Sequence, residues 1–113
     1  MALERVVTEM GMGVDVHGRD YTQAARRAVS DAIRHSSLHL FRVMGKTRDE
    51  MKIHVVIGAP EPEAVDTDAV ASELPYGDVT VACEKGGLEV PSPNGSDAIV
   101  IANAAVMVHF EID

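Results

Sequence analysis

The residues best suited to chemistry lie together near the N-terminus, in Gly11-Met12-Gly13-Val14-Asp15-Val16-His17-Gly18-Arg19-Asp20. Glycine lacks a Cβ, so Gly11, Gly13 and Gly18 allow sharp turns or a close approach to a ligand. If residues 13–17 are extended, Asp15 and His17 lie on one side, because strand side chains alternate. A carboxylate and an imidazole so placed suit a divalent metal such as zinc. Without metal they form an oriented general base, the carboxylate fixing the histidine tautomer. Asp15 and His17 are therefore the candidate catalytic pair and equally candidate metal ligands, with a third ligand still to be found. Arg19 precedes a helix whose first free amides attract anions, which makes it a candidate anion clamp. Gly11, Gly13, Gly18, Arg19 and Asp20 make up a candidate ligand-binding loop. A purely structural reading stays open, in which the glycines form a turn, Asp15 and His17 bind loop amides, and Asp20 only caps the helix.

Other candidates carry less. His35 and His39 are four apart, a spacing that puts both on one helix face, but no Glu follows His35 to complete a metalloprotease motif. His54 and His109 fall on expected strands as interface or polar-face residues, and Cys83 reads as a small core residue. Tyr76, in Leu74-Pro75-Tyr76-Gly77, and the Gly86-Gly87 pair read as turns that could border a ligand. A third Rossmann glycine and a Walker lysine are both missing, which excludes the familiar phosphate loops.

The elements that must position the motif follow from periodicity. Residues 2–10 read as a strand. Asp20 or Thr22 can cap a helix over about 21–35, whose apolar stripe is Ala24, Ala25, Ala28, Val29, Ala32 and Ile33. A further turn or two is expected over 38–44. Residues 51–58 are a β-branched strand, and 67–74 a short helix stopped by Pro75 and Gly77. Residues 78–83 alternate as a strand. Gly86-Gly87 then turns the chain into 88–90 as a hairpin partner. After an exposed loop at 91–96, residues 98–101 are apolar and 106–112 alternate with period two, with a turn or bulge at Asn103 between them. The expected architecture is a single α/β (α+β) domain spanning 1–113. It is a two-layer sandwich, with a mixed sheet of four to six strands carrying one long and one short helix on one face. The other sheet face must be polar or covered, and small sandwiches of this kind often cover it by homo-oligomerisation.

Composition narrows the function classes. With 113 residues, 46% hydrophobic and 25% charged, the chain can build one real core. Its net charge of −8 repels phosphate backbones and anionic bilayers, arguing against nucleic-acid and membrane partners. Seven of the ten Lys and Arg residues fall within 19–48, a basic stretch that could meet an anionic small molecule. One cysteine permits no intrachain disulfide, and no signal pattern opens the chain, so a cytoplasmic location is expected.

The Gly-x-Gly-x-Asp-x-His-Gly signature of residues 11–18, followed by Asp20-x-Thr22-x-Ala24-Ala25-x-Arg27-Ala28-Val29, resembles a bacterial and plant family of conserved hypothetical proteins. Leu74-Pro75-Tyr76-Gly77, Gly86-Gly87 and Ala102-Asn103-Ala104-Ala105-Val106 extend the resemblance over nearly the whole chain. It implies a shared fold and site but no reaction. The segment Gly13-x-Asp15-x-His17 alone is also similar to methylerythritol cyclodiphosphate synthase, a trimeric enzyme. That similarity implies Asp15 and His17 as divalent-metal ligands, with His35 or His39 as the third. Two functions stay open on the sequence. One is a small oligomeric enzyme acting on a small polar or anionic metabolite through the Asp-x-His loop. The other is a non-catalytic small-molecule-binding or oligomeric interaction protein in which that loop is structural.

Overall fold

The computed structural model describes residues 2–34 and 45–112. The expected extension of the first helix to 35, the turn over 38–44, and both His35 and His39 lie outside these residues. Five strands form one mixed sheet: β1 (Ala2–Asp15), β2 (Lys52–Ala59), β3 (Asp78–Lys85), β4 (Leu88–Pro91) and β5 (Ala98–Ile112). Helix α1 (Tyr21–Ile33) and the short helix α2 (Thr67–Ala71) lie with the buried face, giving the expected two-layer α+β sandwich. Single 3₁₀ turns precede β2 and α2.

β5 is the axis of the sheet. β1 pairs antiparallel along one side, while β4 and β2 share the other, β4 against 98–101 and β2 against 103–109. β3 lies outside β2 and parallel to it. Two strands of this length, at about 3.4 Å per residue, account for the 57 Å long axis of the molecule. None of the described helices is long and apolar enough to cross a membrane.

Alternation along β5 separates two faces. Ala98, Val100, Ala102, Ala104, Val106, Val108 and Phe110 all point into the core, between the sheet and α1. Helix α1 answers with Ala24, Ala25, Ala28, Val29 and Ala32. The Ala28 side of this seam contains almost no side-chain volume, so helix and sheet approach backbone to backbone. β1 supplies the last part of the fit, as described below.

Three expectations are corrected. β1 does not stop at residue 10 but runs to Asp15, so Gly11 and Gly13 are strand residues. β5 passes through Asn103 unbroken, because that residue sits on the open face with its backbone in the ladder to β1 and β2. Irregularity falls instead in β1, between Arg5 and Val7. Finally, β3 and β4 are not a hairpin. Gly87, at φ +67, swings the chain away from β3, and β4 pairs with β5. A side chain at Gly87 would come 2.0 Å from the Ile101 carbonyl oxygen, so only glycine lets the chain pass there.

Candidate functional site

Gly11 and Gly13 of the signature face the helix. A Cβ on Gly11 would lie 2.4 Å from both Ala28 O and Ala32 N, and one on Gly13 would lie 2.1 Å from Ala24 O. Both positions are where α1 rests its backbone on β1, the role glycine commonly takes inside a strand. The helix also seals the outer edge of β1. The Met12 N–H donates to Asp31 Oδ2 at 3.0 Å, and Arg27 Nη1 donates to the Val14 carbonyl at 2.6 Å. These are ladder groups that an edge strand otherwise leaves free for another chain.

Beyond Asp15 the chain must turn from strand into helix within five residues. Asp15 is 8% exposed and organises that turn. Its Oδ2 accepts from the Asp20 N–H at 3.0 Å, and its Oδ1 lies 3.7 Å from Arg27 Nη1. Asp20 caps α1 by accepting from the Gln23 N–H at 2.9 Å. Thr22, the alternative cap, accepts from the Asp66 N–H at 2.9 Å instead and ties α1 to the start of α2. Gly18 takes φ +87, and Arg19 takes φ +50, the one described non-glycine residue in the left-handed region.

Arg19 holds that conformation because its guanidinium is anchored through Nε and Nη2. Nε donates to Glu89 Oε2 at 3.2 Å, and Nη2 donates to the carbonyls of Gly95 and Asp97 at 3.3 Å each. Glu89 also accepts from the Tyr21 hydroxyl. That bond and burial push the Tyr21 phenol up to about 12, and the same hydroxyl, with Arg19, holds the Glu89 carboxyl below its ordinary value. Arg19 is thus a staple between the motif and the β4–β5 connection, already neutralised by its partner. Replacing it separates two effects. Arg19→Ala should lose about 1–2 kcal/mol of stability with the charged hydrogen bonds. Arg19→Gly should recover about 1 kcal/mol of that, since glycine is unstrained at positive φ. Chemical denaturation of the two variants checks the order, and a glycine variant less stable than the alanine variant would contradict it.

Asp15 and His17 hold different partners. Strand geometry ends at Asp15, so the alternation that would align them stops there. The His17 side chain is 86% exposed, and its Nδ1 lies 3.1 Å from Asp97 Oδ2. Asp97 Oδ1 accepts from the Gly18 N–H at 2.9 Å and from the Ala98 N–H at 2.8 Å. These two amides, and then His17, hold the Asp97 carboxyl down at about 2. An ionised carboxylate only accepts, so the proton of neutral His17 resides on Nδ1 and the lone pair on Nε2. Asp97 was not among the candidates read from the sequence, and neither was Glu89. Each lies some 70 to 80 residues from its partner, and no local spacing announces such a pair.

His17 and Asp97 open on a cleft of about 760 Å³. Val16, Val90 and Ile99 form its apolar wall, and Ser92, Asn94 and Ser96 its polar one. Asn94 Oδ1 accepts from both serine hydroxyls, at 2.9 and 2.7 Å, which keeps the 92–96 loop in shape. Among the described residues, no three His, Cys, Asp or Glu side chains gather to hold a metal ion.

The chain is thus a two-layer α+β protein in which one glycine-rich motif joins strand, helix and cleft. Its residues 5–108 match the model of a family described as conserved hypothetical protein (Lin0512_fam), and the chain belongs to that family. It is similar to a crystal structure of an FtsZ-like protein of unknown function from Nostoc punctiforme, at 40% identity over 99% of both chains with a TM-score of 0.88. No curated protein matches the chain.

Proposed function

We propose that the His17–Asp97 pair is a proton-transfer site for a small polar metabolite bound in the cleft. One observation carries this reading: every other candidate of the motif is engaged in holding the fold, and among those candidates it is His17 that lines the cleft. Gly11 and Gly13 seat the helix, Asp15 and Asp20 shape the turn, and Gly18 and Arg19 anchor the loop. Asp97 supplies what a general base requires, a fixed tautomer and a negative charge to stabilise the imidazolium that forms.

The cleft also bears on the kind of ligand. Its one lining carboxylate is Asp97, and Arg19 is occupied by Glu89, so no unpaired cation faces the cleft among the described residues. A neutral hydroxyl- or carbonyl-bearing molecule fits this lining better than an anion does. A cytoplasmic location suits the one half-buried free thiol, Cys83.

The test is a thermal-shift screen of small polyols, aldehydes and ketones on the wild type and on His17→Ala. His17 makes one exposed hydrogen bond, so the variant should melt within about 0.5–1 kcal/mol of the wild type. A compound that stabilises the wild type by several degrees should lose that effect in the variant. Equal stabilisation of both proteins would overturn the proposal. Under the non-catalytic alternative, the ligand effect on the wild type persists with no turnover of the same compound.

A further inference from the structure

The face of the sheet opposite α1 points to a second partner-binding function. Cross-strand partners share a face, and the register places Met10, Met12 and Val14 beside Ala105, Asn103 and Ile101. On the other side of β5, Leu88 and Val90 sit against Ile101 and Ile99, while Val56 and Gly58 sit against Ala105 and Asn103. None of these residues is charged, in a chain where a quarter are.

Met10, Met12, Leu88, Val90 and Ile99 are exposed by 47–68%. At on the order of 100 Å² each they present roughly 500 Å², a size at which a patch is commonly functional. That is well over half of the ~800 Å² one partner gives to a standard interface. Half-buried Val14, Val56, Ile101 and Ala105 lie between them and extend the area.

The relief of the face favours one occupant. Leu88, Val90 and Ile99 form a ridge. Just beyond it along β5 is a hollow of about 220 Å³, bordered by Met10, Val56, Gly58, Asn103 and Ala105 and, on the β3 side, by the oppositely charged Glu84 and Lys85. Ridge and hollow are adjacent on a single surface. A two-fold axis passing between Ile101 and Asn103 therefore sets each copy's ridge into the other's hollow, the self-complementarity an isologous interface needs. Charge agrees with this. Copies bearing −8 each repel over most of their surface, whereas the ridge here is uncharged and the two charges at the hollow, Glu84 and Lys85, are of opposite sign. At Met12 and Val14 the outer edge of β1 is closed to pairing by Asp31 and Arg27.

We infer that a second copy of this chain packs here, sheet against sheet, with the helices outward on both sides. Val90 and Ile99 also form part of the apolar wall of the His17 cleft, so association covers that part of the wall. Sedimentation equilibrium of the full chain should give twice the chain mass at about 100 μM, with reversible dissociation on dilution. Val90→Glu places an unpaired charge in the buried ridge and should weaken association roughly a hundredfold or more, leaving a monomer with unchanged circular dichroism. Leu88→Ser/Val90→Ser removes the ridge more gently and should also yield a folded monomer. Ser72→Glu, exposed beyond α2, should leave the dimer intact. A wild-type monomer at that concentration overturns the inference, including one that instead takes up an aliphatic dye on this face. So does a dimer that survives both ridge variants.

Discussion

Gly13→Ala should destabilise the protein by about 3 kcal/mol or more, at the upper end for adding one methyl group to a packed interior. The added Cβ would sit 2.1 Å from Ala24 O, 2.4 Å from Ala28 N and 2.8 Å from Arg27 C. All three are backbone atoms of α1, so no rotamer change relieves the contact. The helix must lift, and lifting it opens the seam lined by Ala24, Ala28 and Ala32. Reduced entropy of the unfolded chain returns only about 0.4–1 kcal/mol, too little to offset the clash. For a domain of this size the melting temperature should fall by roughly 10 °C or more. Gly18→Ala is the matched comparison. Nothing lies within 4 Å of its Cβ, and the substitution meets only the strain of φ +87, about 1–2 kcal/mol. Thermal or urea unfolding of the two variants ranks the effects. A Gly18 variant as damaged as the Gly13 variant would mean that turn conformation, rather than helix seating, is what these glycines provide.

That contrast also shows how far the sequence could be read. Helix α1 was legible because its signals are local: an Asp20 cap, an alanine stripe, arginines off the stripe. The α+β class was legible from the order of elements. The end of β1 was not, because Gly-x-Gly beside Asp and His has the composition of a loop. It takes a helix packed across the strand to make glycine the required strand residue. Likewise, Gly86-Gly87 has the composition of a hairpin turn. The actual partner of β4 is the strand that follows it, and the parallel pairing of β3 with β2 is equally non-local. At the site, the sequence singled out His17 and gave it a neighbouring acid, Asp15. The turn separates that pair. It is Asp97, just before β5 and eighty residues later, that holds the imidazole.

Asp97→Asn should then have an effect on chemistry far larger than its effect on shape. In the wild type three donors converge on this carboxylate: Gly18 N–H, Ala98 N–H and His17 Nδ1–H. An asparagine oxygen can still serve the two amides. Its NH₂ group then faces His17, and two donors cannot meet, so the imidazole proton moves to Nε2 and Nδ1 becomes the acceptor. The cleft loses its lone pair. By analogy with other histidine–aspartate pairs, proton transfer should drop by roughly 10³–10⁴-fold. Nitrogen chemical shifts of the His17 ring report the tautomer without any substrate, so they test the step directly. A variant whose Nε2 remains the unprotonated nitrogen would refute the assignment. The pH dependence of stability gives a second reading. Folding depresses the Asp97 carboxyl from its ordinary 3.8 to about 2. Its contribution is therefore complete above pH 4 and disappears as the pH falls towards 2. Acid unfolding of the wild type should be steeper across that interval than that of Asp97→Asn, which has no such proton to take up. Parallel acid curves would indicate that the carboxylate is not held by Gly18, Ala98 and His17 in solution.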